Sequence, residues 1–170
     1  MKKKLLKSNE EFFINDNDLK RIEKKKIKDY KIVEIPVGRI RRYLDGKLFD
    51  LYHTDAYRLL SNPKEESIRD NYEKYCKKYC YEYENRSEQR FLDLYNDLGN
   101  EDYNPQKGII VVDQLYIIAD GQHRSCILLK KYGPKHKIKV LKIICGDIGI
   151  KTYIRNFIYN IKLLITGKRY

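Results

Sequence analysis

One short polar segment carries the residues in this chain that are best suited to chemistry. It reads Asp120-Gly121-Gln122-His123-Arg124-Ser125 and lies between an apolar run and a helical pattern. Gly121 permits a tight turn, and the unpaired N–H groups that open the following helix, together with the helix dipole, favour an anion. Arg124 adds a planar fork suited to phosphate, His123 a donor that titrates near neutral pH, and Ser125 a hydroxyl. The segment therefore predicts a phosphate-binding turn.

Asp120 stands just before this turn and has two candidate roles. Its carboxylate would orient His123, or it would help to hold Mg²⁺ beside a bound phosphate. The alternative for the whole segment is a polar turn in which Asp120 caps the helix and Arg124 forms a surface ion pair. The residue types alone leave these interpretations open.

The elements around the segment predict an α+β domain, a small mixed sheet flanked by helices and followed by a C-terminal helix. Alternation predicts a strand over 32–37, where Pro36 indicates an edge position or a strand end. Residues 39–46 are expected to form a turn and a loop. Further patterns predict helices over 55–60, 64–83 and 85–99, a hairpin over 108–119, a helix over 122–132, a strand over 137–144 and a last helix from 150.

The chain divides into three parts. Residues 1–30 are a lysine-rich extension, predicted to form a surface helix around 18–28 or a loosely ordered arm. Residues 31–146 form the domain. Residues 147–170 contain an amphipathic helix, which we expect to pack on the domain because the sheet would otherwise lack a cover. Its apolar face comprises Ile150, Ile154, Phe157, Ile158, Ile161, Leu164 and Ile165.

Composition limits the classes of partner. Lys and Arg number 36 and Asp and Glu 24, a net charge of +12, which favours anionic partners, although an AT-rich coding bias also enriches solvated lysine. No apolar segment is long enough to cross a bilayer and nothing resembles a secretory signal, so we expect a cytoplasmic protein without a membrane partner. Four cysteines without a CxxC pair are typical of reduced thiols.

The segment from Ile32 to Ile144 resembles the ParB/sulfiredoxin superfamily. The resemblance is carried by Ile35-Pro36-Val37, the hairpin over 109–119, Asp120 to Arg124, and the helix and strand that follow. ParB proteins have Gly-Glu-Arg-Arg at this turn and contact nucleotide triphosphates with it; sulfiredoxins have Gly-Cys-His-Arg, and archaeal free-serine kinases Asp-Gly-His-His-Arg. The Asp-Gly-Gln-His-Arg spelling names a domain in proteins of DNA-modification systems. The resemblance implies a nucleotide, ATP, ADP or CTP with Mg²⁺, at Gly121–Ser125.

Departures from these patterns exclude two activities. Gln122 stands where sulfiredoxins carry their nucleophilic cysteine, and Cys126 lies a helical turn further on, so sulfinic-acid reduction is not expected. ParB partition proteins follow this domain with a helix-turn-helix and a dimerisation region, whereas this sequence continues with one apolar helix. Centromere clamping is therefore not expected either.

The kinase-like members imply a carboxylate base from the loop after the first strand. Asp45 is the nearest candidate and Asp50 the second, while Asp45-Gly46 as an ordinary turn is the alternative. With Asp120 and His123, Asp45 would make the chain a kinase or phosphotransferase acting on a hydroxyl of a small molecule or sugar. Nucleotide hydrolysis is a related possibility at the same site.

Several weaker features accompany the turn. Arg41 and Arg42, with Arg39, would receive an acidic acceptor, or they form a solvated basic loop. By resemblance to sulfiredoxin-like sites, Arg90 at a helix start is a second phosphate ligand. The helical stripe of Tyr72, Tyr75, Tyr79 and Tyr83 favours core packing over the stacking of bases, and Cys76 with Cys80 lacks the second pair that a zinc site needs.

A binding module is the alternative to an enzyme. The turn would then bind a nucleotide as a switch, or the basic surface would bind DNA, within a DNA-modification or partition-type system. A catalytically inert accessory protein with the same fold is a third option.

Overall fold

The structure is a computed structural model that describes residues 10–14, 16–23, 26–79, 88–100, 102–146 and 149–166. The helices are α1 (Asp16–Glu23), α2 (Asp55–Ser61), α3 (Glu66–Tyr79), α4 (Glu88–Asn100), α5 (Gln122–Tyr132) and α6 (Ile150–Thr166). The strands are β1 (Ile27–Pro36), β2 (Arg41–Leu44), β3 (Lys47–Asp50), β4 (Ile110–Val112), β5 (Ile118–Asp120) and β6 (Lys137–Cys145). Short 3-10 helices occupy Val37–Arg39, Leu51–His53 and Pro105–Lys107.

Four strands form a mixed sheet in the order β1-β6-β4-β5. The central strand β6 runs antiparallel to β1 and parallel to β4, and β4 and β5 form the predicted hairpin. β1 is an edge strand, as Pro36 indicated, because a proline lacks the N–H that an inner strand must donate. The α+β class and the small mixed sheet with flanking helices are confirmed.

A second, two-stranded sheet replaces the loop predicted over 39–46, and that prediction was wrong. β2 pairs antiparallel with β3, with Arg41 opposite Asp50 and Leu44 opposite Lys47. Asp45 and Gly46 form the turn with φ of 47° and 78°, the positive values at both central positions that a tight hairpin favours. The Asp-Gly pair was the local signal for this hairpin.

The two faces of the four-stranded sheet are covered by different parts of the chain. On one face, Val112, Ile118 and Val140 pack with the buried side of α5 and with α2 to α4. On the other face, Leu19 and Ile22 of α1 pack with Val111 and Ile143. Part of the predicted extension thus completes the core, and β1 already begins at Ile27, within it.

The helices around the predicted turn follow the sequence signals. Thr54 caps α2, its Oγ1 accepting from Tyr57 N at 3.3 Å, and α5 spans the predicted residues 122–132. Tyr83 and Cys80, and Asn85 at the start of the helix predicted over 85–99, lie outside the described residues. None of the helices in the described part of the chain is long and apolar enough to cross a membrane.

Helix α6 contacts the domain in a way that the sequence did not predict. Its polar side packs against the β2–β3 hairpin, where Asn156 and Asn160 accept hydrogen bonds from Arg41. The apolar face that we expected to pack on the sheet is exposed. The physical reason is that α1 already covers the sheet face that α6 was expected to cover.

Candidate functional site

The predicted turn joins the end of β5 to the start of α5. Asp120 ends the strand, Gly121 has φ 84° and ψ 26° in the left-handed region, and the helix begins at Gln122. A Cβ on Gly121 would lie 3.0 Å from Ile110 Cγ1 and 3.1 Å from its Cα. Glycine is therefore needed for both conformation and space.

The N-cap position of α5 is Gly121, which has no side chain that could cap the helix. Since the first N–H groups of a helix have no partner within the helix, they are the donors available to a ligand at this position.

Arg124 lies beside the turn and is paired within the motif. Its Nη2 is 3.4 Å from Asp120 Oδ2, and its side chain is 23% exposed, against 9% for Asp120. The guanidinium lies against Gly108, since a Cβ there would be 1.8 Å from Arg124 Nη1. Tyr103 is close enough that Arg124 partly offsets the burial that raises the pKa of this phenol to about 12. The guanidinium thus lies between a carboxylate and a glycine, with part of its surface open.

His123 is packed between two helices that the sequence did not connect to the turn. Its ring centroid lies 4.5 Å from that of Phe91 in α4 and 5.9 Å from that of Tyr72 in α3. His123 Nε2 is 3.0 Å from the Tyr72 hydroxyl. These contacts favour a positioning role for His123.

Gln122 is held by the same helix α3, because the Tyr75 hydroxyl donates to its Oε1 at 3.1 Å. Tyr72 and Tyr75 are buried, as the helical stripe predicted. Their hydroxyls, however, reach the turn, a role that their spacing could not reveal. The signal that was available is that buried tyrosines seek a hydrogen-bond partner for their polar tip.

Ser125 and Arg90, two further predicted phosphate ligands, lie in different settings. Ser125 is fully buried and donates from Oγ to Gly121 O at 2.9 Å, so its hydroxyl supports the turn from inside. Arg90 is exposed in the first turn of α4, next to Phe91, which contacts His123. Of the two, only Arg90 is on the surface.

Asp45, the predicted base, lies at the tip of the β2–β3 hairpin. Its Oδ2 accepts from the Tyr79 hydroxyl at 2.5 Å and from Lys78 Nζ at 3.1 Å. The Tyr79 hydrogen bond, followed by that from Lys78, lowers the pKa of this carboxyl. Tyr79 follows Tyr72, the partner of His123, by about 10 Å along α3, given a rise of roughly 1.5 Å per residue. Asp45 therefore contacts the far end of the helix that supports the turn.

The two arginines predicted to bind substrate belong to the β2–β3 hairpin. Arg41 is buried, donates to Asn156 Oδ1 at 2.6 Å and Asn160 Oδ1 at 2.8 Å, and lies 4.4 Å from the centroid of the Tyr159 ring. Arg41 thus holds α6 through two asparagines. Arg42 is half-buried, and its Nε finds no partner in the described parts of the chain.

A cavity of about 320 Å³ lies beyond the other end of α5, next to Pro134, which follows the last turn of that helix. Its other lining residues are Pro36, Gly38, Arg39, Arg41, Asp50 and Lys135. Asp50, the second candidate base, is 3% exposed. The length of α5 separates this cavity from the turn at Gly121.

Cys126 follows the turn but cannot supply a reactive thiolate. It is fully buried, its Sγ lies 3.4 Å from Thr54 Oγ1, and burial raises the pKa of its thiol to about 12. Burial thus keeps this thiol protonated and inaccessible. The described residues contain no group of three or more side chains arranged to hold a metal ion.

In comparisons with known proteins, no family model, curated protein or solved structure matches this chain. The geometry of the turn is therefore the basis on which a function can be proposed.

Proposed function

We propose that this chain binds the phosphates of a nucleotide, ATP, ADP or CTP, at the first turn of α5. The observation that carries the proposal is a helix start at a left-handed glycine, without a side-chain cap, beside the partly exposed guanidinium of Arg124. Backbone N–H groups and an arginine fork are the two donor types that phosphates use most readily. The resemblance of Asp120–Arg124 to the ParB/sulfiredoxin turn supports the same ligand.

The surrounding contacts favour a preorganised turn. Gln122 and His123 are held by the hydroxyls of Tyr75 and Tyr72, and Ser125 bonds back to Gly121. Because these side chains are already placed, little conformational entropy would be lost when an anion binds. The net charge of +12 also favours the approach of a nucleotide.

The contacts of Asp45 support nucleotide binding more than phosphoryl transfer. A general base works best with a pKa near the working pH, whereas hydrogen bonds from Tyr79 and Lys78 lower the pKa of Asp45. Its partners also lie at the end of α3 that is remote from Tyr72. Binding is therefore the function we propose for the turn.

Calorimetry with ATP, ADP and CTP at near-millimolar concentrations, with and without Mg²⁺, tests the proposal. Arg124→Ala should weaken binding by about tenfold or more, since a charge-assisted hydrogen bond is worth roughly 1.5–3 kcal/mol. Arg58→Ala is the matched control, because it removes the same charge from an exposed position on α2. Amide exchange should slow at residues 121–124 when nucleotide is bound.

Two results would contradict the proposal. One is the absence of measurable binding by all three nucleotides. The other is an equal loss of affinity in Arg58→Ala and Arg124→Ala, which would show that the net charge of the protein, and not the turn, attracts the ligand.

A further inference from the structure

Helix α6 presents an apolar face to the outside of the molecule. The side chains on this face expose between 38% and 85% of their surface. They are Ile150, Tyr153, Ile154, Phe157, Ile158, Ile161, Leu164 and Ile165. We call this set the α6 apolar face. At about 100° per residue these positions fall on one side of the helix.

Polar contacts fix this orientation. The buried Arg41 binds Asn156 and Asn160, and Tyr159, 8% exposed, lies under its guanidinium. Arg155 donates to the Tyr43 hydroxyl. Because the side of α6 that carries Asn156, Tyr159 and Asn160 is the one bound to the domain, the apolar face is directed away from it. At the edge of that face, the Tyr153 hydroxyl accepts from Gln114 Nε2 at 3.2 Å.

The α6 apolar face is larger than the exposed apolar patches of typical monomers, which indicates that another molecule covers it. Eight large side chains at these exposures present on the order of 1000 Å² of surface, whereas the largest apolar patch on a typical monomer is roughly 300–600 Å². Removing this area from water would therefore give a favourable hydrophobic free energy of binding.

Charge indicates what kind of occupant fits. Residues 149–166 contain Lys151, Arg155 and Lys162 and no Asp or Glu. Lys151 and Lys162, eleven residues apart, lie along one border of the α6 apolar face, whereas Arg155 is bound to Tyr43 of the domain. A second copy of α6 would bring further cations and no acidic partner, while anionic lipid headgroups beside hydrocarbon would satisfy both the border and the face.

We propose that α6 lies flat in the headgroup region of an anionic membrane, with the α6 apolar face buried in the lipid and the domain above it. The helix does not cross the bilayer in this arrangement. It is an interfacial anchor, in which apolar burial and attraction of Lys151 and Lys162 to anionic headgroups act together. The expectation of no membrane partner rested on spanning length, which an interfacial helix does not need.

Co-sedimentation of the full chain with vesicles tests this inference. Vesicles that contain phosphatidylserine should bind the protein, vesicles of phosphatidylcholine alone should bind it at least about tenfold less, and high salt should weaken binding. Phe157→Asp should reduce binding by about tenfold or more, because it places a charge in the apolar face. Phe13→Asp is the matched control, since Phe13 is 52% exposed and lies outside that face.

Two double variants, each of which removes two lysine charges, test the electrostatic part of the proposal. Lys151→Gln with Lys162→Gln should weaken binding to anionic vesicles, while Lys137→Gln with Lys139→Gln, which neutralises two exposed lysines of β6, should have a smaller effect. Arg124→Ala should leave vesicle binding unchanged, so that the membrane proposal and the nucleotide proposal fail or stand separately.

Three outcomes would overturn the inference. Equal binding of Phe157→Asp and wild-type protein would show that the face is not used. A failure of wild-type protein to bind either vesicle would do the same. If sedimentation shows a dimer that Phe157→Asp dissociates and no vesicle binding, the occupant is a second copy.

Discussion

Gly121 offers the sharpest test of the turn, because its two requirements can be separated. The change is Gly121→Ala. The left-handed conformation at φ 84° costs a residue with a Cβ about 1–2 kcal/mol. The new Cβ would also lie 3.0 Å from Ile110 Cγ1 and 3.1 Å from its Cα, and a backbone atom of a central strand cannot move cheaply. Overpacking of this kind adds about 1–3 kcal/mol.

The matched control is Gly46→Ala in the β2–β3 hairpin. Gly46 has φ 78°, and its added Cβ would meet nothing closer than Arg155 at 3.8 Å. It should therefore show the conformational cost alone, about 1–2 kcal/mol. At roughly 3 °C per kcal/mol for a chain of this size, Tm should fall by about 6–15 °C in Gly121→Ala and about 3–6 °C in Gly46→Ala.

Urea unfolding followed by circular dichroism measures both free energies, with thermal melts as a second readout. A Gly121→Ala protein that loses no more stability than Gly46→Ala would refute the close contact between the turn and β4. It would also remove the argument that glycine at this position is set by packing.

Three other predictions follow from buried or paired groups. Cys126 should resist iodoacetamide at about pH 8 in the native protein and react after unfolding, because burial raises the pKa of its thiol to about 12; rapid native labelling mapped by mass spectrometry would contradict its burial. Arg41→Met should speed amide exchange in α6 by about tenfold or more, since its two asparagine partners lose their donor, whereas Arg39→Met should not. Asp45 has a lowered pKa in the folded state, so the stability it contributes should be present at neutral pH and lost as pH falls below about 3.8. The Tm values of wild-type and Asp45→Asn protein should therefore converge in acid. A Tm difference that persists there would show that the charge of Asp45 does not cause the stabilisation.

Local sequence signals predicted the helices whose ends are defined by neighbouring capping residues. Helix α5 begins after Gly121 and ends before Gly133, both of which have positive φ, and its bounds are those predicted over 122–132. Thr54 caps α2, a helix that was predicted over 55–60. Such elements need only neighbouring residues to define them.

Long-range packing decided what the sequence left unpredicted. Arg41 and Arg42 suggested a solvated loop, yet Arg41 is buried because α6, more than 100 residues later, supplies Asn156 and Asn160 as partners. Two apolar residues in a lysine-rich stretch, Leu19 and Ile22, gave little sign that α1 covers a sheet face. Once α1 does so, the α6 apolar face no longer has a place in the core.

The candidate site likewise contains residues that local signals predicted and residues that only long-range packing brings together. The residues of the turn were found from their types and order, whereas their supports, Tyr72 and Phe91, come from two other helices and depend on how those pack. Asp45 shows the converse case. Its Asp-Gly pair indicated a turn, but the contacts of its carboxylate with Lys78 and Tyr79 depend on how the hairpin packs against α3, which no local pattern specified.

If the turn binds a phosphate as proposed, the carboxylate of Asp120 should weaken the attraction. Its carboxylate lies 3.4 Å from Arg124 Nη2, so it neutralises part of the charge that a ligand needs and would repel an approaching phosphate. Mg²⁺ on the nucleotide would offset that repulsion, so wild-type affinity should rise when Mg²⁺ is added. Asp120→Asn removes the repulsion and should strengthen binding without Mg²⁺ while reducing the gain that Mg²⁺ brings. Calorimetry of both proteins, with and without the metal, measures this dependence, and a variant that binds less tightly than wild type in all conditions would show that Asp120 acts chiefly by holding Arg124 in place.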